Sequence, residues 1–175
     1  MRFATPKTNL VRLSSLVLTL LISGATMADP LSELKIVGEA KLKVLFWDVY
    51  DSSLFNQTGI YQAGQFPQAL KINYLRDIDA EDLVATTQQE WQKLGIEPAS
   101  FEVWIPLLAE IFPDIKKGDT LLLDVGENRH SEFYFNGKSI GKIRDENFGP
   151  SFLRIWLDQN CSYPKVRRQL LGLNK

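Results

Sequence analysis

The sequence predicts an α+β fold, with a largely antiparallel sheet and helices packed on one face. Three observations carry this. Strand-like stretches cluster early (34–75) and late (119–143), with helical stretches between and after them, in the order β-β-β-α-α-β-β-β-α-α. Asn136-Gly137 between two such stretches is a strong signal for a tight hairpin between neighbouring strands. Residues 79–94 open with acids, carry apolar residues at helical spacing and stop at Gly95.

Taken in order, residues 34–39 and 40–50 read as two strands joined around Gly38-Glu39-Ala40. The stretch 43–55, KVLFWDVYDSSLF, would alternate its side chains between two faces. One face would hold Leu45, Trp47 and Val49, the other Val44, Phe46, Asp48 and Tyr50. Both are mostly apolar, so something must cover both. Residues 54–61 read as a short strand or turn, and Gly59, Gly64 and Pro67 punctuate a loop. In 69–75, ALKINYL, Leu70, Ile72 and Tyr74 alternate with Lys71, Asn73 and Leu75, as in a half-buried strand.

Asp79 is placed to cap the next helix, and Glu81 and Asp82 suit its positive end. Its apolar face is Leu83, Val84, Thr87, Trp91 and Leu94. A second helix covers 98–112, where Pro106 predicts a break or kink near Trp104 and Pro113 a stop. Residues 119–125 and 132–135 are strands, and 138–143 another, with Gly141 marking a bulge or the close approach of a ligand or another backbone. Residues 145–158 form a helix with Phe148, Phe152, Ile155 and Trp156 on one side, and Gly149-Pro150 is expected to split its first turn. Pro164 opens a short terminal helix that Gly172 ends.

The 175 residues suit one domain behind a targeting segment. Arg2, Lys7 and Arg12 precede an apolar run at 13–22 and a small-residue stretch at 23–28, the pattern of a secretory signal peptide. The run is about half the length a membrane-spanning helix needs. The expected division is 1–28 as signal peptide and 29–175 as the mature domain, periplasmic or secreted and with no stable membrane span. Removing the three N-terminal cations takes the formal charge from −1 to −4. Nucleic-acid binding has no basic surface to rest on. One cysteine, Cys161, allows no internal disulfide, and one histidine, His130, in a turn, builds neither a metal site nor a catalytic triad. No cofactor is expected.

Several stretches, in this order, resemble the chalcone isomerase-like family in its bacterial exported branch. They are 37–44 running into Phe46-Trp-Asp-Val-Tyr50, then Tyr74-Leu-Arg-Asp-Ile78, then Ile111-Phe-Pro-Asp114 with Lys117-Gly-Asp119. Phe133-Tyr-Phe-Asn-Gly137 with Gly141-Lys-Ile143 and Ile155-Trp-Leu-Asp158 complete them. The resemblance spans about 33–172 and implies an open-faced β-sandwich with a ligand cleft between sheet and helices. The plant enzymes of the family hold a phenolate with a guanidinium and use hydroxyls of sheet and helix. Here the arginine position falls near Glu33 or Leu34, the strand threonine near Leu45, and the helix Tyr and Asn find no counterpart between Asp79 and Glu90. The resemblance thus implies a member without the plant catalytic set, binding a small apolar or acidic ligand of fatty-acid-like or haem-like character.

Among single residues, Arg76 reads either as a cation at the cleft mouth or as an ion-pair partner of Asp77, Asp79 or Asp48. Asp48, inside an apolar stretch, reads either as a general base or as a paired or edge-exposed acid. Trp47, Tyr50, Tyr74, Arg76 and Trp91 are the candidate ligand-binding residues, with Trp104, Phe135 and Trp156 as further aromatics that suit a pocket or a core. Arg76, Asp48 and Tyr50 are the catalytic candidates for an isomerase or intramolecular lyase. The classes open from sequence are a ligand binder, such an enzyme, and an envelope interaction module whose protein partner is unknown.

Overall fold

The computed structural model describes residues 29–173, so the signal-peptide expectation for 1–28 lies outside the described residues. Ten elements follow the expected order: β1 (Lys35–Val44), β2 (Trp47–Asn56), β3 (Gln68–Tyr74), α1 (Ala80–Lys93), α2 (Pro98–Ile111), β4 (Thr120–Val125), β5 (Ser131–Phe135), β6 (Lys138–Ile143), α3 (Phe148–Leu157) and α4 (Pro164–Leu170). The six strands form one antiparallel sheet in chain order. The helices cover one face of it. Leu54, Leu70, Ile72, Leu121, Leu123 and Phe133 point into a core shared with the helices, while Lys71, Asn73 and Tyr134 on the other face are half-buried.

The pair α1–α2 is an excursion between two adjacent strands. Its stem is tied shut where the Ile78 and Ile115 backbones exchange hydrogen bonds, 3.1 and 2.9 Å. β3 and β4 are joined just below it, with Tyr74 N–H donating to the Asp119 carbonyl at 2.9 Å.

The expected turn at Gly38 is absent. β1 continues through it, with a ladder irregularity between Ile36 and Gly38, and the chain reverses at Leu45-Phe46, so KVLFWDVYDSSLF is a hairpin and not one strand. Gly38 has a packing reason: a Cβ there would collide with the Gln169 and Leu170 carbonyls at the end of α4. Nor are 54–61 a separate strand, since β2 continues to Asn56 before the loop. Gly141 follows the bulge reading, and the close neighbour is a side chain and not a backbone or ligand. The ladder is irregular beside it, and a Cβ would press on Ile111 of α2.

Helix α1 begins after Asp79, but the Asp79 side chain makes no cap; Asp114 instead accepts from Ala80 N–H at 3.0 Å. Its C-terminus closes as expected: Gly95 has φ 65°, and Ile96 N–H reaches the Trp91 carbonyl at 3.0 Å. Helix α2 is not broken at Pro106. The bond proline cannot make would go to Glu102, and both residues are exposed, so the freed carbonyl is not buried without a partner. Gly149-Pro150 does not split α3 either, because a first-turn proline lacks only an N–H that would be free anyway.

Candidate functional site

Between the sheet and helices α1 and α3 lies a partly enclosed cavity of about 220 Å³. Leu70, Ile72, Leu121 and Leu123 form its floor on the two central strands. Leu83, Thr87 and Glu90 come from α1, and Phe152, Ile155 and Trp156 from α3. Helical spacing puts each trio on one face. Val44, Val49 and Tyr163 line the outer end, where Val44 and Tyr163 are both 40% exposed.

The wall is apolar with a few convergent polar groups. Tyr50 accepts the Trp156 indole N–H at 2.7 Å, a bond that joins β2 to α3. Tyr74 lines the cavity, and its hydroxyl has no hydrogen-bond partner among the described residues. Burial raises the pKa of both phenols well above the ordinary tyrosine value, so both stay protonated. Glu90 is buried in the wall, accepting from the Ser162 hydroxyl at 2.6 Å and Lys93 Nζ at 2.7 Å. The Thr87 hydroxyl is spent on the Leu83 carbonyl at 2.8 Å. Among the described residues, no lysine, arginine or histidine lines the cavity.

Of the residues singled out from sequence, Tyr50, Tyr74 and Trp156 meet at this cavity. Trp91 does not. It is fully buried among Phe101, Trp104, Phe148 and Phe152, its indole N–H donating to the Ser151 carbonyl at 3.0 Å. Trp104 belongs to the same aromatic core and bonds Asp145 at 2.8 Å. Phe135 is half-buried outside the lining. Trp47 is exposed on the β1–β2 turn. Arg76 is exposed, outside the lining, and makes no ion pair among the described residues. Asp48 pairs with Lys43 at 3.0 Å and Lys41 at 3.7 Å on the surface, and the Lys43 bond, with the charges of both lysines, outweighs desolvation to hold its pKa below the usual value. The reading of Asp48 as a paired edge acid describes it.

Sequence reasoning passed over Glu90 and Tyr163. Glu90 was findable: it falls between Thr87 and Leu94 on the apolar stripe of α1. Tyr163, in the connection between α3 and α4, carries no local signal.

The architecture is an open antiparallel meander capped on one face by helices, with an apolar cavity between the layers. The chain belongs to the chalcone isomerase-like family, whose family model matches residues 24–172. It is 28% identical over 148 residues to an uncharacterized protein of Haemophilus influenzae, covering 85% of this chain and 73% of that one. Among solved structures it resembles a fatty-acid binding protein of Arabidopsis thaliana, with a TM-score of 0.65 at 10% identity, over 81% of this chain and 88% of that one. At that identity the likeness concerns the fold.

Proposed function

We propose that the protein is a non-catalytic binder of a small apolar ligand held between the sheet and helices α1 and α3. The observation that carries this is the apolar cavity with a buried phenol, Tyr74, in its wall, whose hydroxyl has no partner among the described residues. An apolar cavity of about 150 Å³ is enough to hold benzene, so about 220 Å³ suits a ring or a short acyl chain and is small for a haem. The protonated Tyr74 donates to an acceptor on the ligand head. A carboxylate head would find no cation in the lining and would meet Glu90, so a carbonyl or hydroxyl head fits better. The fatty-acid binding neighbour supports an acyl tail. Arg76 and Asp48 lie away from the cavity, which leaves the isomerase reading without two of its candidate groups. Export to the periplasm or medium, on the signal-like pattern of residues 1–28, is part of this reading, and N-terminal sequencing of the mature protein checks it.

Native mass spectrometry of the purified protein, then calorimetry of delipidated protein with medium-chain alcohols, aldehydes and fatty acids, tests the assignment. Val49→Phe at the mouth is expected to weaken binding at least about ten-fold, since a ring there fills the entry. Absence of any saturable binding across the panel would refute it.

A further inference from the structure

The turn of the β1–β2 hairpin is apolar where a turn is ordinarily polar. Val44 pairs with Trp47, which leaves Leu45-Phe46 as a two-residue loop. Leu45, Phe46 and Trp47 are 87%, 97% and 67% exposed. Leu45 also has φ 55°, a backbone conformation that glycine adopts freely and a leucine side chain resists. Two-residue hairpin loops favour Gly, Asn or Asp at such positions. Neither folding nor solubility accounts for a leucine and a phenylalanine here.

The same tip adjoins the cavity. Val44 and Val49 both line it. Residues directly opposite in an antiparallel pair share a face, so Trp47, opposite Val44, lies on the cavity side of the sheet beyond the mouth. Below the tip, Lys43 is paired with Asp48 at 3.0 Å and Lys41 with Asp51 at 2.9 Å. The collar is braced and formally neutral.

We propose that this tip docks into the interfacial region of a lipid bilayer. Leu45 and Phe46 enter the acyl boundary, Trp47 sits at headgroup depth, and the cavity mouth is held at the membrane surface. Tryptophan favours that interface, and exposed Leu and Phe beside it supply the insertion. A protein partner fits less well. A stable interface takes roughly 800 Å² from each side, whereas a large aromatic side chain contributes about 150–250 Å², and the tip offers only two. A second copy of the chain meets the same limit. Loading of ligand from the bilayer rests on the cavity reading above; the docking does not.

The test is cosedimentation of the delipidated full chain with phosphatidylcholine–phosphatidylglycerol vesicles, alongside the double variant Leu45→Gly/Phe46→Asn. That variant supplies residues a two-residue loop prefers, so its melting temperature is expected to be unchanged or higher. Any contribution of residues 1–28 is common to both proteins. Vesicle partitioning is expected to fall on the order of ten-fold or more, the scale of removing two apolar side chains from the acyl boundary. Of the four tryptophans only Trp47 is exposed; Trp91, Trp104 and Trp156 are buried. Vesicles are therefore expected to blue-shift Trp47 and shield it from acrylamide, and raised salt to leave binding in place because the collar is neutral. Equal binding by the variant, no binding by the wild type, or binding abolished by salt would overturn the proposal. So would a dimer that the variant abolishes and vesicles do not compete with. Cosedimentation reads the docking whether or not the cavity is filled, and the Val49→Phe calorimetry reads the cavity whether or not the tip docks.

Discussion

Tyr50 and Tyr74 stand side by side in the cavity wall, edge to face with ring centroids 6.2 Å apart, yet their hydroxyls do different things. Tyr50 holds the Trp156 indole, and the Tyr74 hydroxyl has no partner among the described residues. Tyr50→Phe strands a buried N–H and is expected to cost about 1–2 kcal/mol. Tyr74→Phe removes no protein bond and is expected to shift stability by less than about 0.5 kcal/mol, while weakening binding of a ligand that accepts from the phenol. Denaturant midpoints and ligand calorimetry on the two variants separate these roles. Both residues were legible as pocket candidates, because a buried phenol asks for a partner. Trp91 read equally well from sequence, yet its ring fills the helix seam. A tryptophan on an apolar stripe looks the same in either place until the neighbouring helix is positioned.

At the scale of elements, periodicity and Gly/Pro punctuation placed all ten segments in order, and the Asn136-Gly137 turn formed with φ 49° and 79°. The errors share a cause, which is that local signals do not know what lies beside them. Gly38 looked like a turn, but it is a strand residue flattened to admit the end of α4. Leu45-Phe46 looked like strand, but it is the turn, with no polar residue to mark it. Pro106 looked like a break, but it falls on the wet side of α2, opposite Phe101, Trp104 and Leu108. Proline in a helix interior is about 3 kcal/mol less favourable than alanine. Pro106→Ala is therefore expected to stabilise the protein by about 1–3 kcal/mol, seen as a higher guanidinium midpoint with an unchanged m-value.

For the whole molecule, Asp124 on the outer face of β4 ties stability to pH. Burial, and then the charge of its cross-strand neighbour Glu132, push its pKa from 3.8 up to about 6. Below pH 4 both folded and unfolded chains carry this proton. Between pH 4 and 6 the unfolded chain releases it while the folded chain keeps it, so this group's contribution to stability falls as pH rises and levels off above 6. Asp124→Asn is expected to flatten that slope and to add about 1 kcal/mol at pH 7.5, after discounting for partial solvent exposure. Unfolding curves at a series of pH values check it. The sequence showed the acid but not its burial, which depends on three strands meeting. The layer architecture was legible because it follows from element order. The cavity was not, because an unfilled volume is a difference between packed surfaces that no single residue encodes.

The first and last strands of the sheet, β1 and β6, do not pair with each other, so both are rims with unpaired backbone groups that invite further strands. The rims are guarded. Lys35, Lys41 and Lys43 stud one and Lys138 and Lys142 the other, and ladder irregularities interrupt both end pairings. Charge and irregularity on a rim discourage edge-to-edge growth. Neutralising those lysines is therefore expected to expose both rims to strand addition while leaving the core untouched, which would show as faster fibril growth with an unchanged melting temperature.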